Sequence, residues 1–287
     1  MRSERETIDT DETTLELWFA YPDDLKAAGA REACEAILSA EELERARRFR
    51  FEHHQREFIA MHALGRMALS RHACLSPEAW RFPTNEFGKP SAEPECGLRF
   101  NLSDSDDLVI CLVARGREVG VDVEVREQAE GIVSVARKAF SVREREQLEA
   151  LEGEAKLERA LALWTLKEAY TKARGMGMAL PLGEISFLFG GAAGIELVTA
   201  PEVDEAPQRW RFCQLHHAGH RIAMVIERKA PGIADPELRI WQARPVTDSP
   251  VRLELGHPEW FPAGKNRALG STPSESEKDE FGESGQF

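Results

Sequence analysis

The stretch Gly120-Val121-Asp122-Val123-Glu124 constrains this chain more than any other feature of its sequence. Apolar and polar side chains alternate along it, and this pattern predicts a β-strand. Side chains alternate between the two faces of a strand, so Asp122 and Glu124 are expected to share one face. The strand is predicted to open the second half of the chain.

A predicted helix at Leu157–Ala173 supplies a second group of polar residues. Its Glu168 and Lys172 are four residues apart and therefore share a helical face, and Gly175 ends the helix. If this helix lies across the strand, three carboxylates and one ammonium group converge. Such a set suits a hard divalent cation, of which Mg²⁺ is the prime candidate, together with a phosphate ester.

Each stretch taken alone also has a purely structural interpretation. Asp122 and Glu124 are equally typical of a solvated strand face. Glu168 with Lys172 is typical of a surface pair that contributes about 0.2–0.5 kcal/mol to helix stability. A magnesium-dependent phosphohydrolase that uses water as its nucleophile also fits these residues.

Composition narrows the class of function. The 287 residues can bury a large core, and the formal net charge of −13 argues against a nucleic-acid partner. No apolar run of about 18 residues occurs, and the N-terminus lacks the apolar core of a signal peptide, so no membrane partner is expected. Five scattered cysteines suit a reducing compartment. We therefore expect a soluble, cytoplasmic protein.

The same order of elements is predicted in both halves: a strand, a long helix and then several strands. In the first half, the strand is Leu15–Ala20, and the helical region starts at the Ser39-x-x-Glu42 capping box and breaks near His53-His54. Short strands are then predicted at Ala79–Phe82, Leu98–Asn101 and Leu108–Ala114. The predicted fold class is α+β, with two structurally similar halves.

Five segments are predicted along the chain. They are a disordered N-terminus (1–14), an N-terminal half (15–117), a C-terminal half with the metal site (118–230), an irregular C-terminal extension (231–270) and a disordered acidic tail (271–287). Prolines interrupt the extension repeatedly. Its aromatic residues Trp241, Trp260 and Phe261 nevertheless predict that part of it docks on the body of the protein.

Five motifs follow one another in a fixed order. They are Phe-Gly-Lys-Pro (87–90), Phe-Asn-Leu-Ser (100–103), Gly-Val-Asp-Val-Glu (120–124), Ala-Phe-Ser-x-x-Glu (139–144) and Trp-Thr-Leu-Lys-Glu-Ala-Tyr-Thr-Lys-Ala-Arg-Gly-Met-Gly (164–177). In this order they resemble the 4′-phosphopantetheinyl transferases of the Sfp type. The resemblance covers roughly residues 15–228, and the third and fifth motifs are specific as a pair.

The resemblance implies a pseudo-two-fold pair of α+β halves with coenzyme A in the cleft between them. It also implies transfer of the phosphopantetheine arm to a serine of an apo carrier protein, with release of adenosine 3′,5′-bisphosphate. Asp122, Glu124 and Glu168 would then hold Mg²⁺ against the coenzyme A pyrophosphate. Glu168 is also the candidate base for the carrier serine, and Lys172 would stabilise or protonate the departing phosphate.

The resemblance also implies residues that contact the coenzyme. Lys89 and Ser103 match positions that line its site, and Arg45 and Arg56 are further candidates for its 3′-phosphate. One position departs from the family pattern: Asp104 stands where a histidine usually helps to hold a coenzyme A phosphate. Because an aspartate repels a phosphate, we expect weaker coenzyme A binding or a different grip on the 3′-phosphate.

Two interpretations of the whole chain follow. The first is a magnesium-dependent transferase that acts on an apo acyl or peptidyl carrier protein, expected to be a monomer because both halves of the cleft belong to one chain. The second, motivated by Asp104, is a non-catalytic module that binds coenzyme A or a carrier protein without transfer.

Overall fold

The computed structural model describes residues 14–189, 194–200, 202–204, 206–228, 235–244, 250–253 and 261–262. The two predicted disordered ends, residues 1–14 and 271–287, lie outside this part of the chain except for Thr14. That residue begins the first strand instead.

In the first half, one strand is followed by three helices and then by two further strands. Its elements are β1 (Thr14–Ala20), α1 (Ala30–Glu35), α2 (Ala40–Arg47), α3 (Glu52–Ser70), β2 (Leu98–Ser105) and β3 (Leu108–Arg115). The predicted capping box at the start of α2 is present, because Ser39 and Glu42 each accept a hydrogen bond from the other residue's backbone N–H.

The second half contains the strand and helix that carry the predicted carboxylates. Its elements are β4 (Val119–Val125), α4 (Ala129–Ala139), α5 (Val142–Glu149), α6 (Gly153–Arg174), β5 (Ile185–Phe189), β6 (Ile195–Thr199), β7 (Trp210–His217) and β8 (His220–Glu227). Three further strands follow: β9 (Glu237–Gln242), β10 (Val251–Leu253) and β11 (Phe261–Pro262).

The two halves share one connectivity. In the first, β1 pairs antiparallel with β3, which pairs antiparallel with β2. In the second, β4 pairs antiparallel with β8, which pairs antiparallel with β7. A long helix, α3 or α6, follows the first strand of each half. The predicted α+β class is therefore confirmed, and the topology explains why similar halves need no residue-by-residue repeat.

Three hydrophobic cores arrange these elements in layers. A central core joins the valines of β4 to inward-facing residues of β1, β3 and β8. The other face of the first sheet packs on α3, and the other face of the second sheet packs on α6. Because the β4 valines fill the central core, the opposite face of β4 carries Asp122 and Glu124 toward α6.

One local prediction for the first half is wrong. Ala79–Phe82 is not a strand: a 3₁₀ turn occupies Pro77–Ala79, and Arg81 makes only an isolated bridge to Glu93. The helical region does break near His53-His54, just before them, where Phe51 has an extended backbone and α3 begins at Glu52. Short polar and aromatic runs do not specify such boundaries without their tertiary contacts.

The C-terminal extension docks on both sheets, as its aromatic residues predicted. β9 pairs in parallel with β1, and Trp241 stacks on Trp18 with ring centroids 5.8 Å apart. β11 pairs with β7 of the other sheet. Trp260 lies outside the described residues. None of the helices in the described ranges combines the length and apolar character that a membrane crossing requires.

Candidate active site

A glycine sets the distance between the predicted strand and helix. A Cβ atom at Gly120 would lie 2.0 Å from the carbonyl oxygen of Ala169 and 2.4 Å from the backbone nitrogen of Ala173. Only a residue without a side chain permits this approach. Helix α6 therefore lies directly against β4, which is the condition that the sequence analysis left open, and its Glu168 and Lys172 lie on the side of the helix that faces Asp122.

Lys172 and Asp122 form the centre of the site. The Lys172 Nζ atom donates to Asp122 Oδ1 at 2.7 Å and to Ser103 Oγ at 2.8 Å. The Ser103 hydroxyl donates in turn to the same Asp122 oxygen at 3.0 Å. Since the Asp122 side chain is only 6% exposed, this ion pair is well shielded from water. Three predicted site residues are thus in direct contact.

Glu124 is held by two residues that the sequence analysis did not single out as site residues. Trp164 Nε1 donates to Glu124 Oε1 at 3.1 Å, and the Ser105 hydroxyl donates to Glu124 Oε2 at 3.3 Å. The alternation of Ser103 and Ser105 along β2 is the sequence signal for the contact between Ser105 and Glu124. This signal can be interpreted only once β2 is known to lie beside β4.

The three carboxylates share a raised affinity for protons. Burial raises the pKa values of Asp122, Glu124 and Glu168, and the charge of Asp122 raises those of the two glutamates further. The Lys172 ammonium lowers all three pKa values in part but does not cancel the effect of burial. The site therefore carries surplus negative charge that an added cation would stabilise.

The residues fit a hard cation in one specific respect. The Asp122 Oδ2 atom is buried and has no hydrogen-bond partner among the residues that the structure describes, a costly arrangement that a metal ion would relieve. In the described part of the chain, no group of three or more His, Cys, Asp or Glu side chains is arranged to hold a metal ion. The Lys172 ammonium is the cation that contacts Asp122 Oδ1 in this arrangement.

A cavity of about 340 Å³ opens beside the carboxylates. Glu168 and Lys172 lie on one wall, and the turn of the first motif forms the opposite wall. Its lining residues are Phe87, Gly88, Lys89, Pro90, Asn101, Glu168, Thr171, Lys172, Gly175, Gly177, Met178 and Leu182. The cavity thus lies between the two halves, next to the predicted reactive groups.

The Lys89 ammonium does not join the carboxylate cluster. Its Nζ atom donates to Glu118 at 2.5 Å and to the carbonyl oxygen of Ala173 at 2.8 Å. Asn85 donates to the carbonyl oxygen of Gly175 at 2.8 Å. The turn is therefore fastened to the C-terminal end of α6, and the role of Lys89 in coenzyme binding stays a prediction.

The two candidate arginines contact residues of the first half. The Arg45 guanidinium lies 5.3 Å from the centre of the Phe58 ring. Arg56 pairs with Asp23 and Glu52, each at 3.4 Å. Among the described contacts, none joins either arginine to the carboxylate cluster, so their predicted role at a 3′-phosphate stays untested.

Asp104 lies on β2 between Ser103 and Ser105 and is exposed. Its charge contributes to the raised pKa values of both Asp122 and Glu57, so it lies within electrostatic range of both carboxyl groups. The predicted repulsion toward an anion is consistent with this position.

Comparisons with known proteins place these features in context. The profile of the 4′-phosphopantetheinyl transferase superfamily matches residues 118–225. A 4′-phosphopantetheinyl transferase HetI from a Nostoc species is 38% identical over 169 residues, which cover 58% of this chain and 71% of the relative. A phosphopantetheinyl transferase from a Thraustochytrium species is 32% identical, and the aligned residues cover 72% of this chain and 77% of the relative.

More distant similarities extend to a solved structure. The transferase Sfp of Bacillus subtilis is 28% identical over 185 residues, which cover 64% of this chain and 81% of the relative. A holo-(acyl-carrier-protein) synthase from Bacillus anthracis, solved with coenzyme A, is 19% identical. The aligned region covers 39% of this chain and 96% of the synthase chain, with a TM-score of 0.35.

Proposed function

Because this chain belongs to the 4′-phosphopantetheinyl transferase family, we propose that it moves the 4′-phosphopantetheine arm of coenzyme A to a serine of an apo acyl or peptidyl carrier protein, with Mg²⁺ as cofactor. The observation that carries this proposal is the contact of Lys172 with a buried carboxylate whose second oxygen lacks a partner. A monomer in the cytoplasm stays the expectation from the sequence.

Asp122, Glu124 and Glu168 would hold the metal ion. When bound, Mg²⁺ neutralises phosphate charge and orients the pyrophosphate. The buried Asp122 Oδ2 is the oxygen best prepared for this role, since it has no other partner.

The reaction exchanges one P–O bond for another. The carrier serine oxygen bonds to the phosphorus that bears the pantetheine arm, and the bond from that phosphorus to the bridging oxygen of the pyrophosphate breaks. Glu168 takes the serine proton, a role supported by its place on the cavity wall and its raised pKa. Lys172 stabilises the negative charge that develops on the departing adenosine 3′,5′-bisphosphate.

Mass spectrometry tests the proposal directly. The protein is incubated with coenzyme A, Mg²⁺ and several apo carrier domains, and each carrier is then weighed. We expect one carrier to gain a single phosphopantetheine. The Glu168→Gln variant should lose this transfer, whereas Glu154→Gln, an exposed change on the same helix, should retain it.

The same experiment separates the two competing interpretations. Coenzyme or carrier binding without any gain of mass would favour the non-catalytic module that Asp104 motivates. Release of adenosine 3′,5′-bisphosphate in the absence of a carrier would instead reveal water as the nucleophile and favour a phosphohydrolase.

A further inference from the structure

Three side chains of β2 bridge the two sheets. Asn101, Ser103 and Ser105 occupy alternate positions on one face of β2, and each accepts a hydrogen bond from a backbone N–H of β4. The donors are Val121 at 2.8 Å, Val123 at 3.3 Å and Val125 at 3.0 Å. Both strands advance by two residues from one bond to the next. We call these three residues of β2 the side-chain ladder.

The ladder satisfies the free edge of β4. This strand pairs with β8 on one side, and on its other side lies β2, which is bonded within the first sheet. Buried backbone N–H groups at such an edge are costly when left unpaired. The amide oxygen and the two hydroxyls accept these protons and thereby fix the register of the two sheets.

Two members of the ladder also orient acidic side chains. Because a serine hydroxyl that accepts a backbone N–H keeps its own proton free, it can donate that proton elsewhere. Ser103 donates to Asp122 Oδ1 at 3.0 Å, and Ser105 donates to Glu124 Oε2 at 3.3 Å. Asn101 accepts from Val121, and among the described residues it makes no hydrogen bond to a carboxylate.

Ser105 supplies one of the two hydrogen bonds that hold the Glu124 carboxylate in place. Trp164 Nε1 holds Oε1, so the Ser105 hydroxyl fixes the rotation of the carboxylate about its last bond. Ser105 is only 5% exposed, and Glu124 is partly buried. Without the hydroxyl, the carboxylate keeps a single anchor.

We propose that Ser105 is a positioning residue that holds Glu124 in the orientation required of a metal ligand, and that it acts through the side-chain ladder. The inference rests on the proposed function, because it assumes that Glu124 binds the metal ion. Residues that orient metal ligands by hydrogen bonds change metal affinity by about 10- to 100-fold when they are removed.

The affinity of the full-length protein for Mn²⁺ alone provides the test, measured by the electron paramagnetic resonance signal of free Mn²⁺. We expect Ser105→Ala to bind Mn²⁺ about tenfold more weakly than wild type. Ser105→Thr keeps the hydroxyl and should restore most of the affinity. Ser186→Ala is the matched control, since it also removes a buried serine hydroxyl but lies on β5 and contacts Ser141 rather than a carboxylate of the site.

The outcomes distinguish a positioning role from a structural one. If Ser105→Ala binds Mn²⁺ as tightly as wild type, or if Ser186→Ala weakens binding equally, the positioning role is overturned. If wild type itself binds no Mn²⁺ and no carrier gains mass, the proposed function fails as well. Wild-type binding with a selective loss in Ser105→Ala supports the inference.

Discussion

At the scale of single residues, the site balances three acidic groups against one ammonium group. Lys172 contacts both Asp122 and Ser103, so it is held in place by a hydroxyl as well as by charge. An ammonium in this position is preorganised to meet a phosphate, because no further ordering of its long side chain is needed.

Removal of the ammonium should therefore affect the transfer step more than folding. We predict that Lys172→Ala lowers kcat for carrier modification about 100-fold or more, because charge on the departing phosphate loses its stabilising partner. Measurement of kcat by carrier mass checks this. Lys156→Ala, at the start of the same helix, should leave kcat unchanged; equal losses in both variants would contradict the assignment.

Asp104 offers a gain-of-function test. Its exposed carboxylate contributes to the raised pKa values of Asp122 and Glu57, so its negative charge acts on both of these neighbouring groups. We predict that Asp104→His increases coenzyme A affinity, with the largest gain at low ionic strength where charges are least screened. Isothermal titration with coenzyme A measures it, and Asp104→Asn separates the loss of charge from the imidazole. No gain in either variant would count against repulsion.

At the scale of elements, the contact of β4 with α6 is the critical one. We predict that Gly120→Ala destabilises the protein by about 3 kcal/mol or more, because its Cβ meets backbone atoms that cannot move alone. Urea unfolding measures this loss. Gly131→Ala on α4, where an added Cβ meets nothing within 4 Å, should change stability by at most about 1 kcal/mol. Similar effects of both substitutions would refute the argument.

Local pattern specified some elements and not others. β4 and α6 were predictable because their periodicities, 2 and 3.6, run unbroken through Val119–Val125 and along the helix. The convergence of Asp122 with Lys172 did not follow from these periodicities alone, because it also requires that α6 lies across β4. The side-chain ladder, which includes Ser105, was not predictable, because it depends on how the first sheet lies beside the second. The direction of the Lys89 ammonium likewise depends on a distant partner, Glu118.

At the scale of the whole molecule, neither half contains a complete site. Ser103 and Ser105 come from the first half, whereas the carboxylates and Lys172 come from the second. The alignment of the halves is thus a condition for activity. The repeated order of elements made it possible to anticipate two halves that meet at a shared site. It did not show which residues of the two halves come into contact there, because that depends on the topology.

Acid stability depends on a contact that fastens α2 to α3. Burial raises the pKa of Glu42, but hydrogen bonds from His62 and the Ser39 backbone, with the charge of Arg66, outweigh burial and lower the pKa to about 2 from an ordinary 4.5. A carboxyl with a lowered pKa stabilises the folded state above its unfolded pKa, and this contribution disappears as the pH falls from about 4.5 toward 2.

The corresponding test compares free energies of unfolding at pH 7 and pH 3. We predict that Glu42→Gln costs up to about 3 kcal/mol at pH 7, and that most of this difference from wild type is lost at pH 3. Glu41→Gln, an exposed neighbour, is the control and should differ little from wild type at both values. A Glu42→Gln deficit of equal size at both pH values would show that its charge is unimportant.

The parallel pairing of β1 with β9 has a consequence for synthesis on the ribosome. Thr14 lies opposite Glu237, so both edges of β1 are bonded only after the much later strand β9 has been made. Until then, β1 presents a bare edge of hydrogen-bonding groups to the crowded cell. Contacts between such distant parts of a chain also form slowly. The yield of active protein in a cell is therefore expected to depend on chaperones that shield this edge until β9 arrives.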